Sequence, residues 1–283
     1  MSIIPKLAGV CGWPIHHSLS PLLHNYWLRE TGIKGAYIPF AVRQDEAVAA
    51  FKSLKHTSIS GVNVTLPLKA QAYEAADDVT DDARKLGVSN CLFKRHGKLI
   101  AHNTDLEGFV SPLLTMMKVT DLAQKSVLII GAGGASRAVI GALLSLGVPE
   151  ICLVNRTDKK ARDVVNMVNV PSLYSAPWAN RQESVARANL IVNASAGGML
   201  GKPALDISLD NAQDGCLVYD LIYTPMMTPL LRSAKKRKLE IMGGIDMLIA
   251  QARPSFKLFY GQAPHAEADP RAMLLSALNT GIR

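Results

Sequence analysis

The chain is poor in cysteine, poor in charge and without a long uncharged apolar run, and each shortage excludes a class of protein. Charged residues make up 19% of the 283 residues against 48% hydrophobic residues, a balance that excludes intrinsic disorder. The four cysteines, Cys11, Cys91, Cys152 and Cys216, form no C-x-x-C pair and have no histidines at zinc spacing. A disulfide scaffold or a structural zinc is therefore not expected, whereas reduced, buried thiols in a cytoplasmic enzyme are. No histidine or carboxylate cluster suggests another metal. The longest apolar stretch, residues 127–148, has Arg137 in its middle and glycines in its first half, so it reads as strand, turn and helix rather than a membrane span. The first ten residues are apolar but too short for a signal segment, and Pro5 and Lys6 interrupt them. Internal repeats and long linkers are missing as well.

One thing is in excess. Lysine and arginine number 31 and aspartate and glutamate 23, for a net charge of +8 and a pI near 9.3. That excess suits an anionic ligand without implying nucleic acid. The one dense run, Lys235-Lys236-Arg237-Lys238, has no interleaved aromatic and reads as a solvated helix end, where cations complement the helix dipole.

The length suggests about two domains. Short apolar runs at 7–11, 37–42, 62–65, 99–101, 127–130, 151–154, 190–192 and 216–221 read as strands. Helix-period segments lie between them, as at Leu22, Leu23, Tyr26 and Trp27, or at Ala138, Ala142, Leu143 and Leu146. Strands alternating with helices mean βαβ units and largely parallel sheets. Runs that are apolar without alternation are expected where both faces of a sheet are covered.

Residues 126–138 read S-V-L-I-I-G-A-G-G-A-S-R-A. A buried strand ending at Gly131 and a helix opening near Gly133 or Gly134 would place a pyrophosphate on the helix N-terminus, with Ala132 and Ala135 in the same turn. The third fingerprint position is Ser136 rather than Gly or Ala. A second strand ends in Asn155-Arg156-Thr157, about two dozen residues past Gly131. NAD sites carry an acid about 20 residues on, for the ribose 2′-hydroxyl. Here the acid is missing, and Arg156 with Lys160 close behind suits the 2′-phosphate of NADP. The plainer reading is an ordinary strand–turn–helix with surface cations.

In the first hundred residues, Ser20 followed by Pro21 reads as an N-cap and first helical position. Asn63 and Thr65 share one strand face, with Lys69 just past the turn, and Asn103-Thr104-Asp105 stands between a strand and a helix. Alone, Asp105 would be a helix cap and Lys69 a solvated lysine.

Taken in order, these segments resemble the shikimate dehydrogenase family. The resemblance is carried by P-I-x-H-S-x-S-P at 14–21, N-V-T-x-P-x-K at 63–69, G-V-S-N at 87–90 and N-T-D at 103–105. It continues through G-A-G-G-A at 131–135, N-R-T at 155–157, N-A-S at 193–195, D-L-I-Y at 220–223, and Met247-Leu248 with Gln251-Ala252. It thus covers essentially the whole chain. Ser89, Cys91 and Asp246 depart from the usual residues, and Asp246 does so in the segment that would approach the nicotinamide.

The resemblance implies two α/β domains with the active site in the cleft between them. Residues 1–102 plus 243–283 would bind substrate, and residues 103–242 would form a Rossmann-type NADP-binding domain. It further implies reversible, NADPH-dependent reduction of 3-dehydroshikimate to shikimate, on the route to chorismate and the aromatic amino acids. Lys69 and Asp105 would be the catalytic pair. Ser18, Ser20 and Tyr223 would hold the substrate carboxylate, and Thr65, Asn90 and Gln251 the ring hydroxyls. Gly131, Ala132, Gly133, Gly134, Ala135, Asn155, Arg156, Thr157, Lys160, Leu221 and Gly244 would bind the cofactor. No metal, nucleic acid or membrane is implied, and the protein would be a monomer or homodimer. Two rivals stand beside this reading. An NAD-preferring quinate/shikimate dehydrogenase is opposed by Arg156 and by the paired hydroxyls of Ser18 and Ser20. A non-catalytic NADP-binding protein on the same fold is opposed by Lys69 with Asp105.

Overall fold

The structure is a computed structural model in which residues 5–280 are described. The chain packs as two units, Met1–Gly108 with Leu248–Arg283, and Phe109–Met247.

The first unit contains β1 (Lys6–Gly12), α1 (Ser20–Thr31), β2 (Gly35–Ala41), α2 (Ala47–Ser53), β3 (Ile59–Val64), α3 (Lys69–Ala75), β4 (Asp78–Val79), α4 (Asp81–Leu86), β5 (Cys91–Arg95) and β6 (Lys98–His102). Then come α5 (Asp105–Met116), α6 (Val119–Leu122), β7 (Ser126–Ile130), α7 (Gly134–Ser145), β8 (Glu150–Val154), α8 (Asp158–Val168), β9 (Leu173–Ser175) and α9 (Arg181–Arg187). The remaining elements are β10 (Leu190–Asn193), β11 (Leu217–Asp220), α10 (Pro229–Lys236), β12 (Glu240–Gly243), α11 (Gly244–Tyr260) and α12 (Arg271–Thr280). The two divisions between units fall inside α5 and α11, because each border lies within a continuous helix.

The sheet of the second unit is parallel throughout, in the order β12-β11-β10-β7-β8-β9. This is the doubly wound dinucleotide-binding order, with its reversal between β7 and β10. Val127, Leu128, Ile129 and Ile130 are all buried, which is why that run shows no alternation. One face packs Leu128, Ile130, Val154, Ile191 and Val218 under the apolar side of α10. Lys235 and Lys236 occupy the last turn of α10, as the charge run suggests.

The first unit's sheet, β2-β1-β3-β5-β6-β4, is mixed, which corrects the expectation of parallel pairing for this half. β1 pairs in parallel with β2 and β3, but β5 runs antiparallel to both β3 and β6. The cause is a hairpin: His96 and Gly97 connect β5 to β6 with φ of 50° and 76°, the twist a two-residue connection requires. The core beneath this sheet holds Phe51, Val62, Val64, Leu92 and Leu99. The C-terminal segment is tied to it by Trp27 Nε1 donating to the Ala268 carbonyl at 2.9 Å and by Lys6 Nζ donating to the Tyr260 carbonyl at 2.5 Å.

Candidate active site

The topology of the first unit gathers polar loops at one edge of its sheet. β1, β3 and β6 all point their carboxyl ends there, and the antiparallel β5 begins there. The segments that follow β1, β3 and β6 carry Ser18 and Ser20, Thr65 and Lys69, and Asp105, while Asn90 immediately precedes β5. The Val64 N–H donates to the Asn90 carbonyl at 2.7 Å, and the Thr65 N–H to the Cys11 carbonyl at 2.9 Å, so these loops are stitched at their roots.

Lys69 is the first residue of α3 and Asp105 the first of α5. Lys69 Nζ donates to Asp105 Oδ2. Both side chains are nearly enclosed, at 13% and 8% exposure, so the ion pair is far less screened than a surface one. Asp105 does not cap its helix as a lone aspartate there would; Asn103 Oδ1 instead accepts from the Asp105 N–H at 3.0 Å. The freed carboxylate takes a second donor, Asn90 Nδ2, at 2.7 Å. Asn90 is fixed in turn by the Thr104 N–H, which donates to Asn90 Oδ1 at 2.8 Å. Gln251 Oε1 lies 3.3 Å from Thr104 Oγ1, and its Nε2 donates to the Leu248 carbonyl at 3.0 Å.

Three further buried groups back this arrangement. Ser255 Oγ sits 3.3 Å from Thr104 Oγ1 and accepts from Asn63 Nδ2 at 2.8 Å, and Tyr37 Oη donates to Asn63 Oδ1 at 2.8 Å. Thr104 and Ser255 escaped the sequence reading. Thr104 sits inside the N-T-D motif and could have been found there; Ser255 lies within a helix and carries no local signal.

Ser20 is the first residue of α1, with Leu19 as its N-cap and no side-chain cap bond, which overturns its reading as a cap. Its N–H donates to Ser18 Oγ at 3.3 Å, and its own side chain is buried. Thr65 is half-buried just past the end of β3.

The second unit holds the remaining candidates. Gly133 is the N-cap of α7, with Gly134 and Ala135 in its first turn. Gly131 has φ of +108°, and a Cβ there would come within 2.9 Å of Ser195 Cβ, so glycine is required where β7 and β10 diverge. A Cβ on Gly133 would meet nothing within 4 Å, which leaves its backbone open to a ligand. Ser136 is fully buried, and its Oγ accepts from the Gly133 N–H at 3.3 Å, so the departure from the fingerprint serves the turn itself. Asn155 Oδ1 accepts from the Ala132 N–H at 3.2 Å, which ties the β7 and β8 turns to one another.

Arg156, Thr157 and Lys160 are exposed past β8. The one nearby acid in the turn, Asp158, is occupied by the Trp178 N–H at 2.8 Å. The cluster thus fits a cofactor with an anionic group at this position. Leu221 and Gly244 are packed together: a Cβ on Gly244 would lie 2.2 Å from the Leu221 carbonyl oxygen. Tyr223 lies in the loop after β11 and is half-buried. Among the described residues, no group of His, Cys, Asp and Glu could hold a metal ion, and no helix is long and apolar enough to cross a membrane.

A parallel sheet of dinucleotide-binding order, with a separate α/β unit presenting an enclosed lysine–aspartate pair, defines a two-domain oxidoreductase. Residues 10–92 match the shikimate dehydrogenase substrate binding domain, and residues 114–221 match shikimate / quinate 5-dehydrogenase. A shikimate dehydrogenase (NADP(+)) of Paracoccus denitrificans is 39% identical over 273 residues, covering 95% of this chain and 96% of the relative. Shikimate dehydrogenase of Aquifex aeolicus superposes with a TM-score of 0.87 at 31% identity, over 96% of this chain and 99% of that one. Shikimate 5-dehydrogenase of Thermus thermophilus, solved with NADP(H) and shikimate, gives 0.82 at 31% identity, over 98% and 100%. The chain belongs to the shikimate dehydrogenase family.

Proposed function

We propose that the protein reduces 3-dehydroshikimate to shikimate with NADPH, reversibly. The observation that carries this reading is the enclosed Lys69–Asp105 pair, braced by Asn90 and Thr104, in a chain similar over its whole length to NADP-dependent relatives. NADPH, when bound, supplies the hydride. Gly131, Gly133, Gly134 and Ala135 would hold its pyrophosphate, and Arg156, Thr157 and Lys160 its 2′-phosphate; Leu221 would border the nicotinamide.

The rest of the chemistry falls to side chains of the first unit. As the ketone is reduced, negative charge develops on its oxygen and needs a proton and a positive environment. Lys69 Nζ supplies both. Asp105 keeps the ammonium aimed, and Asn90 holds Asp105 in its rotamer, so the donor is organised before the charge appears. Ser18 and Ser20, with Tyr223, would grip the substrate carboxylate, which is remote from the reacting carbon. Thr65, Asn90 and Gln251 would read ring hydroxyls with neutral groups, which permits release of the product.

The reading includes a cytoplasmic enzyme, monomeric or homodimeric. The four cysteines support a reducing compartment: all are free and buried, and burial pushes the thiols of Cys11 and Cys91 up to about 12. The test is to mix the protein with shikimate and NADP and follow absorbance at the reduced-nicotinamide band. Absorbance should rise. No rise overturns the reading, and a faster rise with quinate and NAD replaces it with the rival dehydrogenase.

A further inference from the structure

Asp105 and Asp220 are the two acids buried among the described residues, and the reaction uses only the first. Asp220 ends β11 and has no exposed surface. Its Oδ1 accepts from Asn193 Nδ2 at 2.9 Å and from the Ile222 N–H at 3.1 Å. Its Oδ2 accepts from Thr228 Oγ1 at 2.6 Å. The three donors lie on three different segments. Asn193 ends β10, Ile222 is the second residue of the loop after β11, and Thr228 is the N-cap of α10, where its Oγ1 also accepts from the Leu231 N–H at 3.2 Å.

A sealed carboxylate is an expensive way to fill space, and burial pushes this one up to about 6 even against its three hydrogen bonds. What it achieves is closure. Both ends of the 222–228 segment are fastened to one side chain, and Leu221 just before it is wedged against Gly244. This is the segment that holds Tyr223. Asn193 extends the clamp by accepting from the Ser195 N–H and Oγ, at 3.1 and 2.8 Å, beside Gly131.

We propose that Asp220 is a positioning residue for the nicotinamide end of the cofactor, acting through the 221–228 loop rather than by contact. This rests on the reading of the second unit as the NADP-binding one. If it is right, loosening the clamp weakens whatever touches Leu221 and spares whatever touches Arg156.

The experiment measures binding of two probes to the full chain by calorimetry: NADP, and adenosine 2′,5′-bisphosphate, which has the 2′-phosphate end and lacks the nicotinamide. In Asp220→Asn and Thr228→Val, NADP should bind about tenfold more weakly, the scale of one hydrogen bond to a charged group. The bisphosphate should stay within about twofold of wild type. Thr228→Ser keeps the hydroxyl and should bind both as wild type does. Thr228→Val leaves two of the three bonds in place, so it decides the matter if Asp220→Asn does not fold. Folded variants that bind NADP normally, or that lose both probes equally, overturn the proposal. A wild type that binds neither probe overturns the NADP reading and this inference with it.

Discussion

At the scale of single residues, the catalytic proposal rests on where one proton is held. Removing the Lys69 amine should leave shikimate binding largely intact and lower turnover about 10²–10⁴-fold, the usual range for a lost general acid. Steady-state kinetics on folded Lys69→Ala check this, and a loss in kcat under tenfold removes Lys69 from the chemistry. The proposed role of Arg156 in cofactor choice is tested in the same way. Charge-assisted hydrogen bonds are worth about 1.5–3 kcal/mol, so Arg156→Ala should weaken NADP roughly 10- to 100-fold. NAD lacks the phosphate, so its kcat/KM should hardly change, and the preference for NADP should shrink as salt is raised. An unchanged NADP-to-NAD ratio in the variant shows that this turn does not read the 2′-phosphate. Lys69, Asp105, Asn90 and Gln251 were legible in the sequence because each sits in a short motif. Ser255 was not, because its role comes from Thr104, which is 151 residues away in the chain.

At the scale of elements, the start of α1 separates binding from stability. Ser20 makes no cap bond. Ser20→Ala should therefore change stability by no more than about 0.5 kcal/mol, as an uninvolved site does, while KM for shikimate rises. Paired melting and kinetic measurements decide: a clear drop in Tm restores the cap, and an unchanged KM removes Ser20 from the carboxylate site. The crossing of α5 and α11 is tighter. A Cβ on Gly108 would lie 2.4 Å from Gln251 Cβ. Gly108→Ala should cost about 1–3 kcal/mol by overpacking and raise KM by displacing Gln251. A variant with wild-type Tm and KM shows that the crossing gives way freely. The close crossing has no sequence signature, since it depends on which segment arrives from elsewhere; the cap signature at Ser20-Pro21 was there, but the helix starts one residue earlier than it suggests, with Leu19 as N-cap. The hairpin at His96-Gly97 did have one, a glycine between two short apolar runs, but the expectation of parallel strands obscured it. The buried β7 run and its glycine turn were plain, because strand, turn and helix there are contiguous.

At the scale of the whole molecule, the acid limb of stability should bear the mark of one histidine. His24 is wholly enclosed, neither ring nitrogen has a partner, and its ring stacks on Tyr37 at 4.0 Å. Burial holds its pKa down to about 3 from 6.5. The fold therefore keeps the ring neutral, a contribution present above pH 6.5 and lost as pH falls from there towards 3. Asp220 works in the opposite sense: its value is raised to about 6 from 3.8, so its contribution is present below 3.8 and lost as pH rises through 6. His24→Phe keeps an aromatic ring in the stack and removes the proton. Its Tm should fall less than that of wild type between about pH 7 and about pH 4. Parallel Tm-versus-pH curves for the two proteins rule out His24 as the cause.

The first unit is assembled from two stretches far apart in the chain, and this has a consequence for the order in which the protein is made. On the ribosome, Lys69 and Asp105 emerge before the second unit, but Gln251, Ser255 and the Ala268 carbonyl that receives Trp27 come only after it. The second unit is contiguous, from Phe109 to Met247. Translation thus completes the second unit while the first still lacks the part of α11 that brings Gln251 and Ser255 into its polar network. A chain cut after Met247 would carry the whole of the second unit but none of Gln251, Ser255 and the Ala268 carbonyl that complete the first.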